Sequence, residues 1–227
     1  MVEERPGRRD RAARYGRDEV EFGRAIGFFD ATFAIATTLL VTTLDPGRDG
    51  WASWSSLWDA VEGPMLAFTI TFVVIASYWW ANHQFVASLR ALSPGLIVWT
   101  LALLAFVVLL PFTTEGLGES GRVNEVTTVV YAVNVALVSG TEWILYRVAL
   151  RDDLFEVRPS PVEVSMSTVA QLVPSVVFLA SIPVALLGAP GPARVLWLSL
   201  VVLGPLVGRW ANKRILADRA PGAAPLA

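Results

Sequence analysis

Few residues in this 227-residue chain are of the kinds that do chemistry. It has one histidine, His83, and no cysteine, which removes thiolate nucleophiles, disulfides and a zinc or haem site built within one subunit. No phosphate-cradling glycine loop, His-Glu-x-x-His motif, nucleophile elbow or dinucleotide fingerprint occurs, so the chain reads as no enzyme. What remains is a small set of polar groups set into apolar sequence. Arg24 and Asp30 open the first hydrophobic segment, and His83 closes the second. Thr32, Thr37, Thr38, Thr42 and Thr43 are spread through the first. A charge inside a membrane span is costly and lipid does not reward a hydroxyl, so such groups face a protein interior or a water-filled path.

The segment that must position them is Arg24 to Leu44, RAIGFFDATFAIATTLLVTTL. As a helix it is roughly 31 Å long, about one bilayer core. Ala31, Ile35, Leu39 and Thr42 recur at intervals of four, four and three, with Thr38 beside them. This stripe, part apolar and part hydroxyl, has two readings. One is a helix packed in a bundle, its threonines bonded back to their own backbone. The other is a helix that lines a pore. Arg24 and Asp30 lie six apart and are not neighbours on one helical face, so each is expected to pair across helices. His83 is either part of that tie or an interfacial histidine bonded to a nearby carbonyl.

The composition makes the membrane the solvent. The chain is 54% hydrophobic and 17% charged, with mean hydropathy +0.54. Six spans are expected, the first from Arg24 and the sixth ending near Arg214, in an all-α integral membrane protein. Residues 1–23 read as a solvated, partly disordered cytoplasmic tail, 24–215 as the six-helix domain and 216–227 as a second cytoplasmic tail. The first apolar run is too long for a secretory signal and offers no cleavage site. Pro64 suggests a kink, or a short interfacial helix before the second span. Ser93-Pro94 and Ser160-Pro161-Val162-Glu163 read as helix starts. Leu96 to Phe112 is nearly all apolar and is expected to face lipid, Leu104 included. Glu115 to Gly121 reads as a turn, and Trp51, Trp54 and Trp58 as an interfacial belt at the outer mouth. All basic residues except Arg48, Arg122 and Arg194 fall on one side of this arrangement, which puts both termini in the cytoplasm. The basic N-terminal stretch is interrupted by acids and short of aromatics, so nucleic-acid binding is not supported.

Arg24, then Phe28-Phe29-Asp30, then Phe33 to Leu40 (FAIATTLL) resembles the opening helix of the bacterial transmembrane protein 175 family. Its members are potassium-selective or weakly selective cation channels. Tyr78-Trp79-Trp80-Ala81-Asn82-His83 resembles a second motif of that family, a Trp followed closely by paired histidines. Phe29 stands where the family has Ser, and Asn82 where it has the first His. The resemblance implies a homotetramer in the plasma membrane, potassium and other monovalent cations as permeants, and no cofactor. It implies that Ile35 and Leu39 form an apolar constriction, with Thr38 and Thr42 beside and beyond it. It also implies that Arg24, Phe28, Asp30 and His83 tie the pore helix to its neighbours. A small secondary transporter and a non-conducting scaffold are the alternatives; no inverted repeat was found to favour the transporter.

Overall fold

A computed structural model describes residues 14–118 and 124–219. A two-residue strand β1 (Tyr15–Gly16) precedes helix α1 (Val20–Leu39), which tightens into a 3₁₀ turn over Leu40–Thr43. A one-turn helix α2 (Gly47–Gly50) leads to α3 (Trp54–Ala87). Strand β2 (Ala91–Leu92), α4 (Pro94–Val108) and α5 (Leu110–Gly118) follow, then α6 (Glu125–Arg151), α7 (Pro161–Leu186) and α8 (Pro190–Arg219). The α4 and α5 helices meet at Leu109 and count as one span, which gives six helices long and apolar enough to cross a membrane.

Short polar side chains set the helix starts. Ser53 accepts from the Ser56 N–H at 3.0 Å, Ser93 from Leu96 at 3.2 Å and Asn124 from Val126 at 2.7 Å. Ser160 and Glu163 form the expected capping box, at 3.2 Å and 2.9 Å, with Pro161 in the first turn, where no N–H is needed.

Several boundaries differ from those read in the sequence. The first helix starts at Val20, four residues ahead of Arg24, and β1 is paired, so the described end of the N-terminal stretch is ordered backbone. Residues 1–13, and with them Arg5, Arg8, Arg9 and Arg11, lie outside the described residues, as do 119–123 and 220–227. Pro64 lies inside one continuous helix, with no separate interfacial segment. Glu115 belongs to α5, which runs to Gly118, so the turn expected from Glu115 is helix at its start. The last helix continues to Arg219, past the expected end near Arg214.

The third span is a larger correction. Leu96, Leu103, Leu104, Val107 and Leu110 are buried, and Leu104 is only 3% exposed. A uniformly apolar helix carries no periodic signal to say which side meets protein, and here α4 packs on both α1 and α6. The sequence therefore could not separate its lipid face from its packed face.

Lipid gives helices no hydrophobic reason to associate, so packing and buried hydrogen bonds hold the bundle. Thr71 on α3 meets Thr114 on α5 at 2.7 Å and Tyr131 on α6 at 3.1 Å. Tyr78 donates to Ser139 at 3.1 Å, and Trp197 on α8 donates to Ser181 on α7 at 2.9 Å. The helices are layered: α1 packs on α3, α4 and α5, these lead to α6, α6 to α7 and α7 to α8. Of the six spans, the α6 window is the most enclosed and the α8 window the least.

At one end of the bundle three chain segments are laced by backbone. β1 pairs antiparallel with β2, and the Arg17 N–H donates to the Arg90 carbonyl at 3.0 Å. Arg90 N–H donates to Leu154 at 2.9 Å, and Glu156 N–H to Ser88 at 3.0 Å. Arg17 pairs with Glu156, and Arg90 with Asp153. The stretch before α1, the α3–α4 turn and the α6–α7 turn are thus joined at a single level.

Candidate ion pathway

Helix α1 has two unlike faces. Phe22, Phe29, Phe33, Ala36 and Leu40 are buried against the rest of the chain, spaced seven, four, three and four. Ala31, Ile35, Thr38, Leu39 and Thr42 are exposed, Ile35 at 57% and Leu39 at 42%. The stripe read in the sequence is therefore the face this chain leaves uncovered. The 3₁₀ turn, invisible in the sequence, matters to its C-terminal end. Three residues make a full 3₁₀ turn, so Thr42 lies above Leu39 instead of drifting round the helix.

All five threonines donate to their own helix. Thr32 bonds Phe28 O at 2.9 Å, Thr37 bonds Phe33 O at 2.8 Å and Thr38 bonds Ile35 O at 2.8 Å. Thr42 bonds Leu39 O at 2.7 Å and Thr43 bonds Leu40 O at 2.8 Å. The back-bonded arrangement and the exposed stripe coexist. A hydroxyl whose proton is held by the backbone offers its surroundings only oxygen lone pairs. On the exposed face those oxygens belong to Thr38 and Thr42, and lone pairs are the polarity a cation requires.

The groups at the other end are joined through Trp79. Its indole Nε1 donates to the Asp30 carboxylate at 3.0 Å, tying α3 to α1. The same indole stacks on His83, with ring centroids 5.4 Å apart, and Trp80 stacks on His83 at 6.1 Å. Asp30 and His83 thus belong to one cluster without touching each other. The sequence reading quoted Trp79 for its motif and gave it no part in the tie. The available signal was an indole N–H four residues before the histidine, in a span where a donor held away from water needs a partner.

Arg24 is not brought into this cluster. It is exposed, forms no hydrogen bond or ion pair among the described residues, and lines an open groove of about 340 Å³ with Tyr15, Glu21, Phe28, Ile97 and Leu101. Phe28 is 56% exposed and meets the buried Phe29 edge-on at 6.5 Å. Phe29, standing where the family pattern has Ser, fills core space instead of adding a hydroxyl. Among the described residues no group of three or more His, Asp or Glu could hold a metal ion.

Comparison with known proteins finds potassium channels. Residues 24–111, which span α1, α3 and α4 and end within α5, match the model of the family described as the endosomal/lysosomal potassium channel TMEM175. A potassium channel of Streptomyces collinus is 29% identical over 147 residues, 61% of this chain and 69% of its own length. One from Chryseobacterium is 30% identical over 131 residues, 57% of this chain and 65% of its own length. The fold matches the crystal structure of a TMEM175 homologue from Chamaesiphon minutus, described as a lysosomal potassium-selective channel. The TM-score is 0.67 at 23% identity, over 86% of this chain and all of that one. It also matches a variant of the MtTMEM175 potassium channel bound to a nanobody fusion, with TM-score 0.61 at 17% identity. That match covers 91% of this chain and 99% of the other.

Proposed function

We propose that this chain, a multi-pass membrane protein, is a potassium channel of the TMEM175 type that conducts potassium passively through a pore lined by α1 of several copies. The observation that carries this reading is the exposed stripe Ala31, Ile35, Thr38, Leu39 and Thr42. One helix cannot enclose a pore, and closed cyclic symmetry about that face is the economical solution. Four copies agree with the family resemblance.

In this arrangement Ile35 and Leu39 form two stacked apolar rings. Such rings can close a pore by dewetting without a charged gate. With no cage of backbone carbonyls, preference for potassium over sodium comes from the lower cost of stripping its water, and is modest. Thr38 lowers that cost through its outward lone pairs, and Thr42 keeps the outer mouth wet. Both termini lie in the cytoplasm, with 1–23 and 216–227 flanking a channel domain over 24–215, and the protein resides in the plasma membrane.

Planar-bilayer recording of the purified full chain under a potassium/sodium gradient tests the proposal. Unitary currents with a reversal potential shifted modestly toward that of potassium are expected. Flux without unitary steps would make it a transporter, and no flux in liposomes a scaffold; either result overturns the channel reading.

A further inference from the structure

We infer that the end of α8 carrying Arg209, Lys213 and Arg214 is a binding site for the phosphate headgroup of an anionic phospholipid. The helix has two sides. Ala193, Trp197 and Ala211 are buried against the chain. On the opposite side Val195, Val202, Leu206, Trp210 and Lys213 repeat at seven, four, four and three, and all are exposed. The apolar part of that stripe runs directly into the basic part. This is the order of a phospholipid, with acyl chain, interface and phosphate in turn.

Length sets the depth. The 30 residues of α8 span roughly 45 Å, while the hydrocarbon core is about 30 Å thick. The last turns of α8, from about Arg209, therefore stand in the headgroup layer. Trp210 is a residue of that boundary, and Arg214 lies over its ring at 5.9 Å, so ring and guanidinium present one combined surface.

The nearby acids do not neutralise these cations. Asp218, one turn beyond Arg214, accepts from Ser160 at 2.7 Å, and Glu163 takes Arg219. Among the described residues Arg209, Lys213 and Arg214 form no ion pair, and all three are exposed. Uncompensated positive charge above an apolar stripe is complementary to an anionic headgroup, not to a zwitterionic one. The site rests on the pore reading only in that α8, packed on α7 and α6 and not on α1, is then farthest from the axis and meets lipid.

The test uses the full chain in nanodiscs of phosphatidylcholine with a minor fraction of phosphatidylglycerol, released into a mass spectrometer. Wild type should retain phosphatidylglycerol in preference. Each basic residue at an anionic surface contributes about fivefold in affinity, so Arg209→Gln/Lys213→Gln/Arg214→Gln should lower the preference on the order of a hundredfold. Arg209→Lys/Arg214→Lys should keep most of it. Brominated phosphatidylglycerol should quench wild-type tryptophan fluorescence more than brominated phosphatidylcholine does, and Trp210→Phe should remove that excess whether or not the triple variant folds. Equal retention of the two lipids by wild type, unchanged preference in the triple variant, or excess quenching that survives Trp210→Phe would overturn the site. None of these readouts uses current, so failure of the site and failure of the channel reading are separate results.

Discussion

Trp79 on α3 and Asp30 on α1 meet at 3.0 Å, and this contact fastens the candidate pore helix to the span beside it. Trp79→Phe keeps an aromatic ring beside His83 and removes only the donor. Asp30 is half-buried, so losing a hydrogen bond to its charged carboxylate costs about 1 kcal/mol. A lower melting temperature in detergent is expected, with little change in reversal potential. Asp30→Asn, which still presents an acceptor oxygen, should be milder than Asp30→Ala. A Trp79→Phe protein that melts like wild type would show that this bond does not hold α1.

His83 makes contact by stacking, with no hydrogen bond among the described residues. His83→Ala should therefore reduce folded yield or oligomer stability more than it changes ion preference. Normal assembly with sharply altered selectivity would contradict its role as a support.

Arg24 is expected to behave differently, since its guanidinium has no partner among the described residues of one copy. Arg24→Ala should leave the melting of an isolated subunit within about 0.5 kcal/mol of wild type, as for other exposed positions. The loss should appear in the fraction of assembled oligomer measured by light scattering in detergent. Equal loss in both measurements would place the Arg24 partner within the subunit.

For conduction, Ile35→Asn should wet the constriction and weaken potassium preference, and Thr38→Ala should reduce preference without blocking current. The measurement is reversal potential under a potassium/sodium gradient. Leu104 is buried and unsuitable as a lipid-facing control. Val201 on α8 is 73% exposed, and Val201→Ala should change neither quantity. Unchanged reversal potential and conductance for both α1 variants would remove this helix from the path.

Orientation is tested with reporter fusions. A fusion at the exposed Gly47 should report outside, whereas Gly118 is buried against Pro64 and is unsuitable. Leu92 and Phe155 belong to the laced end and are buried, so an inside fusion is better placed at the exposed Val157. A reversed pattern would invert the proposed pore.

Much of this was legible because membrane spans write themselves in hydropathy and in caps. Ser93-Pro94 and the Ser160/Glu163 box begin helices where expected, and the residues of the α1 stripe share one exposed face. Leu104 was missed because α4 is apolar all round, and only the neighbouring helices decide which side is covered. Trp79 was underread because its partner lies 49 positions away in sequence, beyond the reach of any local pattern. The pairing of Tyr15 with Leu92 was hidden for the same reason, in a stretch whose charge pattern looked like a solvated tail.

That pairing has a consequence for biosynthesis. Helix α1 leaves the ribosome before the five other spans described here, yet the backbone lacing at its start needs Arg90, and Arg90 in turn needs Leu154. Its N-terminal end cannot be locked until synthesis has passed Glu156 and most of the spans exist. Until then a helix with a hydroxyl-bearing, half-apolar face waits in the membrane without its neighbours. The element made first is the one completed late, and a chain stalled before the α6–α7 turn would carry the whole candidate pore lining while lacking the means to fix its position.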